Sequence, residues 1–120
     1  MLKAFLMLVF VFNSHFLLAQ PLNEDSLKTE GRALANYKTC ADIGKENQDA
    51  VMQSYYHDLY TDMSSKTKHY AEEKQTIVNN AYELGLVEFT KLNRQSLAIF
   101  CDSRLDDLTR KMQEKKLKTK

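Results

Sequence analysis

The sequence is poor in the residues that interrupt helices. Its 120 residues include one proline, Pro21, and three glycines, and after Pro21 no four-residue stretch alternates cleanly between apolar and polar side chains. Proline and glycine are the weakest helix formers, and clean alternation is typical of a half-buried strand. The sequence therefore predicts an all-α fold and argues against a sheet.

The motifs of catalysis and cofactor binding are also missing. The chain has no glycine-rich phosphate loop, no Cys-x-x-Cys or His-Glu-x-x-His motif, and no Asn-x-Ser/Thr sequon. His57 and His69 have no nucleophile or metal-ligand motif at a diagnostic spacing. The adjacent pairs Glu72–Glu73 and Asp106–Asp107 do not share a site, because neighbours on a helix point about 100° apart. We predict no enzyme activity, no metal and no cofactor.

Charge of one sign is not in excess. Without Lys3 the chain holds sixteen basic and sixteen acidic residues, so no general attraction to nucleic acid is expected. The last eleven residues are nevertheless basic, with Arg110, Lys111, Lys115, Lys116, Lys118 and Lys120 against Glu114. This tail is either a solvated helix end or a contact for anionic lipid, polysaccharide or an acidic partner.

The N-terminus has the pattern of a secretory signal peptide. Lys3 precedes an unbroken apolar run over residues 4–12, and the small residue Ala19 offers a cleavage site. Asn13 to His15 interrupt the apolar stretch before it reaches the length of a membrane span. We predict cleavage of residues 1–19, a periplasmic or secreted location, and no stable membrane anchor.

The remaining residues, 20–120, suffice for one domain with a basic C-terminal tail. They contain two cysteines, Cys40 and Cys101. An even count in an oxidising compartment favours pairing, so we predict a Cys40–Cys101 disulfide. No free thiol would then be left to act as a nucleophile.

Apolar spacing predicts a bundle of four main helices. The first helix covers residues 25–43 and is stopped by Gly44, and the second runs from residue 47 or 48 to 62. The third is capped by Ser64 or Ser65 and runs to residue 84, where Gly85 stops it. The last helix is capped by Asn93. The predicted core consists of Leu34, Tyr37, Val51, Tyr55, Leu59, Ile77, Leu97, Leu105 and Leu108. Since Cys40 and Cys101 lie on these apolar faces, the disulfide would join the first helix to the last.

Helical periodicity fails between Gly85 and Asn93. One interpretation is an extra helical turn folded onto the core. The other is an exposed hinge or protrusion that offers apolar and acidic groups to a partner, since loops on rigid scaffolds often carry binding function. In that case the candidate partner-binding residues are Gly85, Leu86, Val87, Glu88 and Phe89.

Dispersed positions over most of the chain resemble the Tai-type immunity proteins, small periplasmic helical proteins that neutralise peptidoglycan amidase effectors of the type VI secretion system. The resemblance is carried by Leu34-Ala35-Asn36-Tyr37-x-x-Cys40, Asp49, Tyr60-Thr61-Asp62-Met63, Tyr70, Cys101, Ser103, Leu105 and Leu108. It implies a disulfide-stabilised helical bundle that often dimerises. It also implies a protruding loop before the last helix that blocks the amidase cleft, and the matching segment is residues 85–93.

Two other classes of function stay open. One is an extracytoplasmic helical chaperone or stress protein that uses exposed apolar surface. The other is a secreted small-molecule carrier whose tyrosines and methionines line a cavity. An immunity protein binds one enzyme tightly, a chaperone protects many clients, and a carrier copurifies with a small apolar molecule.

Overall fold

The structure is a computed structural model that describes residues 23–119. Helices make up almost all of this part of the chain. They are α1 (Glu24–Glu46), α2 (Ala50–Thr67), α3 (Glu72–Thr90), α4 (Arg94–Ser103) and α5 (Asp107–Lys118). The prediction of an all-α fold is confirmed, but this part of the chain holds five helices rather than four. The predicted signal peptide, residues 1–19, lies outside the described residues.

The extra helix comes from a break in the predicted last helix. α4 ends at Ser103 and α5 starts anew after Asp106, whose side chain accepts a hydrogen bond of 2.7 Å from the Thr109 amide. An aspartate in this position satisfies an amide that the first turn of a helix leaves unpaired. The same bond holds the pKa of the Asp106 carboxyl below its usual value. The apolar spacing continues through the break and predicts one helix, but the cap at Asp106 starts a second one.

Two glycines that were expected to stop helices instead lie inside them. α1 runs past Gly44 to Glu46, and α3 runs past Gly85 to Thr90. A Cβ atom on Gly85 would lie 2.7 Å from the Cβ of Ala35, so a side chain there would push α3 away from α1. Gly31 has the same role nearby, because its Cβ would meet the Val78 carbonyl oxygen at 2.3 Å. These glycines permit close helix packing.

The predicted serine cap of the third helix is also wrong. Ser64 and Ser65 lie within α2, which continues to Thr67, and α3 begins after Ala71 without a side-chain cap. Serine is compatible with a helix interior when the surrounding turn is held by packing, and Thr67 in the same turn is buried.

α1 is the central helix, in contact with α2, α3 and α4, while α5 packs against α2. One buried cluster surrounds the disulfide and consists of Cys40, Ile43, Met52, Tyr56, Leu97, Cys101 and Leu105. A second cluster consists of Leu27, Leu34 and Val78. The molecule therefore has a core at each end of α1.

The predicted disulfide is confirmed. It joins Cys40 of α1 to Cys101 of α4, with an S–S distance of 2.08 Å and a Cα–Cα distance of 5.6 Å. Tyr56 of α2 lies beside it, with 1% of its surface exposed, and donates a hydrogen bond of 2.6 Å to the carbonyl oxygen of Cys101. Burial raises the pKa of the Tyr56 hydroxyl to about 12. The helices α1, α2 and α4 thus meet at the disulfide.

The predicted core is correct in part. Leu34, Leu97 and Leu105 are buried, and five further members, Tyr37, Val51, Tyr55, Leu59 and Ile77, are half-buried. The prediction that Leu108 is buried is wrong, because Leu108 lies beyond the break, on α5, and leaves 68% of its surface exposed.

Leu105 and Leu108 are therefore expected to respond differently to truncation. Leu105→Ala removes side-chain atoms from the disulfide cluster and should lower the free energy of unfolding by about 2–5 kcal/mol. Leu108→Ala removes an exposed side chain and should change it by less than about 0.5 kcal/mol. Urea unfolding followed by circular dichroism measures both, and equal losses would contradict the break between α4 and α5.

Candidate functional site

The segment predicted to bind a partner forms the last turns of α3. Of the two interpretations of residues 85–93, the helical one is correct up to Thr90, and a protruding loop before the next helix is not present. The helix continues because Gly85 packs closely on Ala35 rather than breaking the chain. Only Lys91 to Asn93 form a short turn before α4.

The five candidate residues point in different directions. Gly85 is buried against α1, and Leu86 is half-buried. Val87 leaves 51% of its surface exposed. Glu88 forms an exposed ion pair of 3.1 Å with Arg32. Phe89 packs against the disulfide cluster, so it is not a free apolar tip.

Phe89 instead forms one wall of a surface groove between α3 and α4. We call this the α3–α4 groove, and its lining consists of Phe89, Leu92, Asn93, Ser96, Leu97 and Phe100. Its volume is about 300 Å³. The lining side chains are uncharged and mostly apolar, so the groove suits an apolar group.

Local structure fixes the shape of the α3–α4 groove. Asn93 caps α4 by accepting a hydrogen bond of 3.1 Å from the Ser96 amide, which sets the direction in which α4 leaves the turn. Leu97, on the same helix, is anchored in the disulfide cluster. The groove is therefore built on elements that the disulfide holds in place.

Phe100 is the groove residue that sequence reasoning missed. It leaves 41% of its surface exposed, and the guanidinium carbon of Arg104 lies 4.9 Å from the ring centroid. An aromatic ring that is partly exposed on a rigid helix is a common anchor at protein interfaces. In the sequence, Phe100 lies three residues after Leu97 but outside the apolar stripe that Leu97 forms with Cys101. A large apolar residue outside that stripe was the signal that could have indicated an exposed ring.

Two other grooves have more polar linings. One, of about 290 Å³, lies between α1 and α3 and is lined by residues that include Lys28, Arg32 and Leu84. The other, of about 270 Å³, includes His57 and lies beside Lys38 and Asp42. Both linings include charged side chains, whereas the lining of the α3–α4 groove has none, so the α3–α4 groove is the better candidate to receive an apolar anchor.

Within residues 23–119, no group of three or more His, Cys, Asp or Glu side chains is arranged to hold a metal ion. Over the same range, none of the helices has both the length and the apolar character required to cross a membrane. The partner-binding role of residues 85–89 stays a prediction.

Comparisons with protein-family models, with curated proteins and with solved structures find no match for this chain. The resemblance to the Tai-type immunity proteins therefore stays a prediction based on the residues given above.

Proposed function

We propose that this chain is a periplasmic immunity protein that binds and inhibits a type VI secretion peptidoglycan amidase through its α3–α4 groove. The observation that carries the proposal is the partly exposed apolar lining of that groove, held by α4 and its disulfide to α1. A rigid binding surface loses little conformational entropy when a partner docks, and this favours tight inhibition.

In this mode of inhibition, no loop of the immunity protein enters the enzyme's cleft. A groove of about 300 Å³ receives a side chain rather than inserting one. An apolar side chain at the rim of the amidase cleft would fill the groove, and the end of α3 would then cover the cleft. Leu92, in the groove lining, leaves about half of its surface exposed and would extend the contact.

Phe100 is the best residue with which to test this mode. Phe100→Asp places a charge in the apolar groove and should weaken binding of the amidase by about 2 kcal/mol or more, about thirtyfold in Kd. Phe89→Ala is less informative, since Phe89 also packs against the disulfide cluster. Hydrolysis of purified peptidoglycan by the amidase proposed as partner, measured against inhibitor concentration, gives the change.

Leu108→Asp is the matched control, because Leu108 is exposed on α5, away from the groove. It should inhibit as well as the wild type. In cells that receive the same amidase in the periplasm, the wild type and the control should protect, and Phe100→Asp should not. If the wild type neither inhibits nor protects, the immunity function is wrong. If it instead prevents aggregation of several unrelated proteins, the chaperone alternative takes its place.

A further inference from the structure

α5 is packed with its polar side toward the rest of the molecule. Gln113 is buried and donates hydrogen bonds of 2.7 Å to the Ser54 hydroxyl and 3.2 Å to the Asp58 carboxylate. Arg110 forms an ion pair of 3.3 Å with Asp49, the residue that caps α2. An amphipathic helix ordinarily turns its apolar side inward. Here polar contacts hold the helix, and two of its three apolar side chains, Leu108 and Met112, are exposed, while Leu117 is half-buried.

The opposite side of α5 combines apolar and basic residues. We call it the outer face of α5, and it consists of Leu108, Lys111, Met112, Lys115 and Lys118, which helical spacing places on one side of the helix. Leu108 leaves 68% and Met112 leaves 64% of its surface exposed. None of the ion pairs among residues 23–119 includes Lys111, Lys115 or Lys118. The face therefore carries three lysines that form no ion pair within that range, around two exposed apolar side chains.

We propose that the outer face of α5 binds an anionic phospholipid surface. Lysine ammonium groups can reach lipid phosphates while their methylene stems lie along the apolar layer beside Leu108 and Met112. The attachment is peripheral, and it is independent of the proposed inhibition of an amidase, which uses a different surface.

The shape of the face favours a lipid surface over an acidic protein. A single helix presents a convex row of flexible side chains, with no aromatic ring among them. Protein interfaces usually depend on shape complementarity and on aromatic or arginine anchors. A fluid, flat and negatively charged surface needs neither, and its attraction for lysine is an electrostatic effect that salt screens.

Cosedimentation with vesicles tests the proposal. The chain from residue 20 onward should bind vesicles of equal parts phosphatidylglycerol and phosphatidylcholine, should bind pure phosphatidylcholine vesicles much less, and should be released as salt is raised. Each lysine contributes about fivefold to partitioning, so K111A/K115A/K118A should lower the partition coefficient about a hundredfold. L108S/M112S should lower it about tenfold or more.

K45A/K68A/K91A is the matched control, since it removes the same charge from exposed lysines outside α5 that form no ion pair within residues 23–119. It should keep most of the binding, and circular dichroism should show equal helix content in all variants. Equal losses in the two triple variants would overturn the proposal, because net charge alone would then explain binding. Binding to polyglutamate without binding to the anionic vesicles would overturn it in favour of an acidic protein partner. Equal binding to both vesicle types, or to neither, would also overturn it.

Discussion

Replacing Cys40 and Cys101 together by serine is expected to lower the free energy of unfolding by about 4 kcal/mol and the melting temperature by roughly 20 °C. The bond closes a loop with a sequence separation of 61 residues, and a loop of that length greatly restricts the unfolded chain. It also ties the short helix α4 to the central helix α1, so the loss should affect the α3–α4 groove directly.

Urea unfolding of the double variant, followed by circular dichroism, measures this change. The wild type in the presence of a strong reductant is the control, and it should lose the same stability within about 1 kcal/mol. A loss below about 1 kcal/mol in both experiments would show that the packing of α4 does not depend on the covalent bond.

Tyr56→Ala is expected to lower the free energy of unfolding by about 3–5 kcal/mol. Tyr56 is a large, fully buried side chain at the meeting point of α1, α2 and α4, and its removal leaves a cavity next to the disulfide. It also removes the hydrogen bond to the Cys101 carbonyl oxygen. Tyr56→Phe keeps the ring and loses only that bond, so it should cost about 1–3 kcal/mol.

Tyr55→Ala provides the matched comparison. Tyr55 precedes Tyr56 on α2, contacts it edge to face at 5.1 Å between ring centroids, and is only half-buried. Its truncation should cost clearly less than that of Tyr56. If both alanine variants lose the same stability, the buried tyrosine is not the centre of the cluster around the disulfide.

The helical class and the disulfide could be predicted from the sequence because each depends on simple properties of the chain. A chain with one proline and little alternation has few alternatives to helices. Two cysteines allow only one intramolecular pairing. Neither conclusion requires knowledge of how the helices pack.

Helix ends were harder to predict because packing decides them. Gly44 and Gly85 have the residue type of a helix stop, but each lies where two helices approach closely. The N-cap role of Asp106 is hidden in the sequence because Leu105 and Leu108 continue the apolar spacing across it. The spacing therefore predicts a buried Leu108, whereas Leu108 lies on the outer face of α5.

The candidate site could be located only roughly from the sequence. The predicted segment, residues 85–93, contributes part of the α3–α4 groove, since Phe89 and Leu92 are among the residues that line it. Phe100 and Leu97 reach the groove from the next helix, and their contribution depends on the direction in which α4 leaves the turn. A stretch read along the chain cannot show a groove formed between two helices.

The central claim, that the α3–α4 groove binds the amidase, is tested most directly by nuclear magnetic resonance. The chain is labelled with ¹⁵N and titrated with the unlabelled peptidoglycan amidase proposed as its partner. We expect the amide signals of Leu92, Ser96 and Phe100 to shift or broaden, while those of Lys111 and Lys115 on α5 stay unchanged. No perturbation at saturating amidase, or perturbation confined to α5 or to the groove between α1 and α3, would contradict the claim.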